Sequence, residues 1–237
     1  MNLLTFRSQR LFGRPRSYGD ARAISQFPAF TKLVGVTGLF MAFALAILPV
    51  QAAGPVQMVV LGDSLSAGYL LAQDAAFPAV LEKALRAEGL QVEVANAGVS
   101  GDTSRGGLER LDWAVPEGTQ AVLVELGAND MLRGIDPART QESLDTIITR
   151  LKARGIKVML AGMLASPSLG KDYGERFNAI YPALAKKHEI PLYPFFLAGV
   201  AGDPALNLDD GMHPNRRGVE TIVRSILPAI KSFLSNL

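Results

Sequence analysis

Residues 57–66 read Gln-Met-Val-Val-Leu-Gly-Asp-Ser-Leu-Ser. The first five make an almost unbroken apolar, β-rich run that stops at a glycine, the pattern of a short strand buried on both faces. Runs of the same kind follow at Val92–Ala95, Ala121–Leu126 and Lys157–Ala161, with a short fifth at Pro191–Tyr193. The stretches between them are helical in period. Pro78 suits a first helical position, Val80, Leu81, Ala84 and Leu85 share a face, and Gly89 ends the helix. Asp136-Pro137 supplies an N-cap followed by proline at N1; Leu144, Ile147, Ile148 and Leu151 then form a stripe that Gly155 stops. Asn215 caps a last helix whose Val219, Ile222, Val223, Ile226 and Leu227 face inward. Strands alternating with helices predict an α/β fold, a doubly wound parallel sheet between helical layers. The runs do not fix the strand order.

Residues 1–53 differ in character. They hold Arg7, Arg10, Arg14, Arg16, Arg22 and Lys32 against the single acid Asp20, then an apolar run from Leu33 to Val50 and the small-residue stretch Val50-Gln51-Ala52-Ala53. A basic segment, an apolar segment and small residues at −3 and −1 predict a secretory signal cleaved after Ala52 or Ala53. The mature domain, 54–237, is then periplasmic or secreted. The alternative is a retained anchor, because an apolar run of about 18 residues sits at the lower limit for spanning a bilayer. Membrane contact is expected only through that uncleaved segment.

The chain carries 24 Lys+Arg and 22 Asp+Glu. Setting aside the six bases and one acid of the leader leaves 18 bases against 21 acids, so the basic balance belongs to the leader. Neither charge nor motif supports nucleic-acid binding by the mature domain. The chain has no cysteine, which excludes disulfide staples, a thiol nucleophile and thiolate metal sites.

In a parallel sheet the loops that follow the strands gather at one edge, where such folds bind ligands. Here those loops read Gly62-Asp63-Ser64-Leu65-Ser66 after the first strand and Asn96-Ala97-Gly98-Val99-Ser100-Gly101-Asp102 after the second. Gly127-Ala128-Asn129-Asp130 follows the third, and Asp210-Gly211-Met212-His213-Pro214 precedes the last helix. Ser64 is the candidate nucleophile, and a serine hydroxyl needs a base within hydrogen-bond reach. Of the two histidines, His188 falls at a helix C-terminus, where a cation complements the dipole. His213 lies in a loop three residues after an acid, and Asp210 can fix the tautomer that leaves Nε2 facing Ser64. The same Asp-x-x-His pattern also suits an Asx turn before a capped helix. An oxyanion needs donors already in place. The backbone N–H groups of Ser64 and Gly98 and the side-chain amide of Asn129 are the candidates. Asp63 reads as a residue that holds the loop. Met131, Leu132, Ile135, Met163, Leu164 and Met212 lie close in sequence to these groups and are candidates for an acyl-binding groove, or for ordinary core packing.

These blocks, Gly62-Asp63-Ser64-Leu65-Ser66, Gly98, Gly127-Ala128-Asn129-Asp130 and Asp210-Gly211-Met212-His213-Pro214, resemble the four sequence blocks of the SGNH (GDSL) hydrolases. The similarity is closest to their bacterial multifunctional acyl-CoA thioesterase/lysophospholipase/arylesterase group. It extends through Ala179-Ile180-Tyr181-Pro182 and Pro194-Phe195-Phe196. The resemblance implies a flavodoxin-like three-layer α/β/α fold, nucleophile Ser64, base His213 oriented by Asp210, and an oxyanion hole from Ser64, Gly98 and Asn129. It also implies no metal or cofactor, a small-molecule acyl ester or thioester as substrate, and a periplasmic setting like that of several members. The segment Met163–Tyr173 looks longer than in enteric members and bears on substrate preference. Two alternatives stay open: a carbohydrate O-deacetylase of the same fold, and an inactive membrane-anchored lipid-binding module. An α/β-hydrolase fits poorly, because Ser66 stands where the G-x-S-x-G elbow needs glycine.

Overall fold

Each apolar run becomes a strand of one parallel sheet in the computed structural model, which describes residues 54–237. The predicted leader, 1–53, lies outside the described residues. The strands are β1 (Val56–Gly62), β2 (Val92–Gly98), β3 (Ala121–Glu125), β4 (Lys157–Ala161) and β5 (Leu192–Tyr193). Their order is β2-β1-β3-β4-β5, with every neighbouring pair parallel. This is the flavodoxin-like order. All of β3 and the last five residues of β1 are buried, which explains why these strands read as unbroken apolar runs. At the sheet edge β2 begins with alternating buried and exposed positions. It runs three residues past the expected Ala95, because Asn96, Ala97 and Gly98 keep pairing with Val60, Leu61 and Gly62.

The helices in chain order are α1 (Ser64–Ala67), α2 (Phe77–Ala87), α3 (Ser104–Glu109), α4 (Leu111–Ala114) and α5 (Ala128–Leu132), then α6 (Pro137–Ala153), α7 (Lys171–Asn178), α8 (Ile180–His188) and α9 (Arg216–Leu234). Helix α2 packs on α9, while α6 packs with α3 and α8, and these two groups flank the sheet. Helix α2 starts one residue before the expected Pro78. Proline is tolerated there because N–H groups of the first turn have no intrahelical partner. Asp136 caps α6 by accepting from Ala138 N at 3.1 Å, and Asn215 caps α9 by accepting from Gly218 N at 3.1 Å. Such caps contribute about 1 kcal/mol each. On α9, Val219, Ile222, Val223 and Ile226 are buried as expected, and Leu227 is half-buried.

The register brings the strand ends level. Gly62 pairs with both Gly98 and Glu125, and Glu125 pairs with Ala161. The loops after β1 to β4 therefore leave the sheet at one edge. Chain connections diverge between β1 and β3, since β2 lies on one side of β1 and β3 on the other. That topological switch point is where an open α/β sheet forms its crevice.

Candidate active site

Ser64 is the first residue of α1, a single helical turn that follows β1 directly. Asp63 caps that turn, its Oδ1 accepting from Leu65 N at 3.0 Å. Ser64 is mostly buried, and its Oγ lies 2.9 Å from His213 Nε2. His213 stands on the loop before α9, where Leu208 N donates to His213 O at 2.7 Å and Asn207 bridges to Pro214. Asn215 braces the same loop, its Nδ2 donating to Ala205 O and Asn207 O.

The two readings of Asp210 turn out to be one arrangement. Its Oδ1 accepts the backbone N–H groups of Met212 and His213, at 2.9 and 3.0 Å, which closes an Asx turn. Its Oδ2 lies 2.6 Å from His213 Nδ1. The N–H groups of His213 and Met212, with the imidazole, pull the Asp210 carboxyl down to about 2, so it is an anion at neutral pH. An acceptor at Nδ1 assigns the ring proton there and leaves Nε2 as the acceptor facing Ser64.

Asn129 is the second residue of α5, at the end of β3. Its Nδ2 donates one hydrogen to Asp63 Oδ2 at 3.1 Å, which leaves the second N–H of that amide for another acceptor. The turn that presents Asn129 is fixed from below: Tyr181 Oη donates to Leu126 O at 3.0 Å, and Gly127 has φ +124°. A Cβ on Gly127 would sit 2.1 Å from that hydroxyl, so glycine is needed there. Asp130 points elsewhere, accepting from Ser104 N, Ser104 Oγ and Thr140 Oγ1, and ties α5 to α3 and α6.

Beneath Ser64 lie two buried carboxyls. Burial pushes Asp63 up to about 6, while the Leu65 N–H and the Asn129 amide pull the other way. Glu125 is wholly buried at the end of β3, and its Oε2 accepts from Asp63 N at 3.4 Å. Burial, then the neighbouring Asp63, raises Glu125 well above the ordinary carboxyl range; hydrogen bonds from Ser66 and Asp63 oppose this.

The structure does not bring the expected backbone donor Gly98 to the site. Gly98 N donates to Asn96 Oδ1 at 2.9 Å, and Gly98 does not border the cavity. Its glycine identity answers a packing need instead, since a Cβ there would lie 2.6 Å from Ala67 N. The glycine at the cavity is Gly101, at φ +86°. Its carbonyl accepts from Arg133 Nη2 at 2.6 Å, and its N–H has no hydrogen-bond partner among the described residues. The Ser100-Gly101-Asp102 turn carries this signal in the sequence, but Gly98, nearer the strand end, masks it.

Ser64, Asn129 and His213 open into a cavity of about 790 Å³. Met131, Leu132, Met163, Leu164 and Met212 line it, as the sequence suggests. Ile135 does not: it is half-buried outside the cavity, and its carbonyl accepts from Tyr173 Oη at 2.9 Å. Phe195, Leu197 and Tyr69 also line the cavity, and among the described residues none of its lining is Asp, Glu, Lys or Arg. The loop after β4 contributes Ala165, Ser166 and Pro167, so Met163–Tyr173 does reach the site. His188 ends α8 and pairs through Nε2 with Asp145 Oδ1, apart from this cavity.

Residues 60–220 match the model of the GDSL-like lipase/acylhydrolase family. The chain is 40% identical over 192 residues to esterase TesA of Pseudomonas aeruginosa, covering 81% of this chain and 95% of that protein. It is 42% identical over 173 residues to thioesterase 1/protease 1/lysophospholipase L1 of Escherichia coli, covering 73% and 82%. Among solved structures, the crystal structure of AlinE4, an SGNH-hydrolase family esterase, is similar with a TM-score of 0.64 and 42% identity, over 75% of this chain and 96% of that one.

Proposed function

Because the chain belongs to the GDSL-like lipase/acylhydrolase family and is a carboxylic ester hydrolase, we propose that it cleaves acyl esters and thioesters through a Ser64–His213–Asp210 triad and an acyl-enzyme. The observation that carries this reading is the unbroken chain of contacts Ser64 Oγ to His213 Nε2, 2.9 Å, and His213 Nδ1 to Asp210 Oδ2, 2.6 Å, at the wall of an apolar cavity.

In the first step Ser64 Oγ attacks the acyl carbonyl carbon while His213 Nε2 takes the hydroxyl proton. The Asp210 carboxylate holds the imidazolium that forms. The carbonyl oxygen becomes an oxyanion, met by the Ser64 N–H, the free N–H of Asn129 and the Gly101 N–H, which replaces Gly98 in this role. Collapse breaks the bond to the leaving alkoxide or thiolate, and His213 returns its proton to that group. Water then attacks the acyl-enzyme with His213 as base, releasing the acid and restoring Ser64. The uncharged lining favours an aliphatic acyl chain, and each buried methylene contributes roughly 0.8 kcal/mol at most.

Three measurements test the proposal. Ser64→Ala and His213→Ala should each lower kcat by on the order of 10³-fold or more, since the residues act as one unit. A fluorophosphonate probe should label the unmodified enzyme and not Ser64→Ala. Across C2 to C16 p-nitrophenyl esters, kcat/KM should climb by up to about fourfold per methylene from acetyl toward medium chains. A maximum at C2 with a steep fall beyond C4 would replace the acyl groove by a small acetyl pocket.

A further inference from the structure

Tyr69 was not among the residues singled out by the sequence, yet its ring lies on the catalytic imidazole. The ring centroids of Tyr69 and His213 are 4.4 Å apart with 36° between the planes. The backbone around Tyr69 is shaped for this. Gly68 ends α1 at φ +83°, and a Cβ there would meet Ala76 Cβ at 2.6 Å. Leu71 N donates to Gly68 O at 2.9 Å and closes a tight turn with Tyr69 and Leu70 at its centre. Leu70 takes φ +57°, an outlier for a bulky side chain, although that side chain is 76% exposed and makes no use of the conformation itself. Strained backbone of this kind concentrates at functional sites. Here its product is the position of Tyr69, whose N–H donates to Ser64 O at 3.3 Å while its ring rests on His213. One residue thus ties the nucleophile's backbone to the face of its base.

The contacts of His213 leave a specific task for that ring. Asp210 and Ser64 hold the imidazole through its two nitrogens, both in the ring plane. In-plane bonds resist sliding but only weakly resist tilting of the ring, and the loop that carries it is exposed on one side. A second ring against the face resists the tilt. The face of a phenol ring is also the negative side of its quadrupole, so it attracts a cation far more than a neutral imidazole. In the proposed cycle His213 carries positive charge between proton uptake from Ser64 and proton delivery to the leaving group.

We propose that Tyr69 is a positioning residue that holds the His213 imidazole in line with Ser64 and stabilises the imidazolium formed during acyl transfer. The inference rests on the triad chemistry proposed above. An interaction that strengthens only as charge develops lowers kcat when removed and leaves KM nearly unchanged. The aromatic face is the working part and the hydroxyl is not.

The test compares Tyr69→Phe and Tyr69→Leu with the unmodified enzyme on p-nitrophenyl butyrate and on ethyl butyrate, with Ser64→Ala as control. Tyr69→Leu should lower kcat by about tenfold with KM within about twofold, and Tyr69→Phe should keep nearly full kcat. The loss should be larger on ethyl butyrate, whose alkoxide leaving group needs the imidazolium proton more than p-nitrophenolate does. Should Tyr69→Leu not fold, Tyr69→Met gives a second non-aromatic side chain with the same expected loss. Equal losses in the Phe and Leu variants, an effect confined to KM, or unchanged kcat in Tyr69→Leu would each overturn the inference while leaving the triad intact. Full activity in Ser64→Ala would overturn both.

Discussion

At the residue scale the site separates groups that meet substrate from groups that hold those groups. In the proposed mechanism Asn129 does both with one amide, giving one N–H to Asp63 and leaving the other for the oxyanion. Asn129→Ala should therefore lower kcat by about 10²–10³-fold with little change in KM, checked by steady-state kinetics; a pure KM effect would mark it as a structural residue. Glu125 gives a prediction of a different kind. Its raised carboxyl keeps a proton in the folded protein that the unfolded chain has already released, so stability falls as pH rises from the ordinary carboxyl range toward the folded value. Asp63 contributes the same sign between about 4 and about 6. Glu125→Gln should match the unmodified protein in Tm near pH 5 and exceed it near pH 8, by calorimetry at both; a difference independent of pH would count against the neutral carboxyl. That Ser64, Asp210, His213 and Asn129 come together was legible because each stands in a loop that the parallel sheet brings to one edge. Gly98 and Gly101 were not separable by sequence, since a backbone N–H leaves no side-chain signature and glycine answers close packing at one and a left-handed φ at the other. Tyr69 was hidden because contact between its ring and His213 depends on a turn whose positive φ at Leu70 no propensity foretells.

At the element scale the point of contact that matters is β2 against α1. Gly98 ends β2 directly under Ala67, the last residue of the turn that carries Ser64. Gly98→Ala forces a Cβ to within 2.6 Å of Ala67 N, and relief by backbone shift costs about 1–3 kcal/mol. The variant should lose several degrees in Tm, by roughly 2–4 °C per kcal/mol for a domain of this size, and lose activity because α1 moves. Gly101→Ala meets nothing nearer than Arg133 Nη2 at 3.7 Å, so its cost is the left-handed backbone alone, about 1–2 kcal/mol. A Tm unaffected by Gly98→Ala would contradict the packing reading. The central strands β1, β3 and β4 were readable almost residue by residue because burial on both faces leaves unbroken apolar runs. The far end of β2 was not, because Asn96 and Gly98 pair through backbone groups that carry no hydropathy signal. Ile135 failed as a groove residue for a related reason: adjacency to Asn129 in sequence says nothing about which way a helix end turns.

At the scale of the whole molecule we propose that residues 1–53 are a cleaved export signal and 54–237 the mature enzyme, acting in the periplasm or outside the cell. Intact mass of the native protein should place its N-terminus at Ala53 or Gly54; retention of Leu33–Val50 would instead mark an anchored enzyme. The sheet order adds what no single segment could show, because it depends on which strands meet across long sequence separations. The proposed triad is divided in the same way. Asp210 and His213 are three residues apart and can assemble on a five-residue loop, whereas Ser64 and His213 are separated by 149 positions. Ser64 thus stands 149 positions ahead of the imidazole it meets, and that contact exists only when the loop before α9 lies against the end of β1. Pairing these two side chains therefore reports on the whole fold, since the loop after the first strand and the loop before α9 must both be in place.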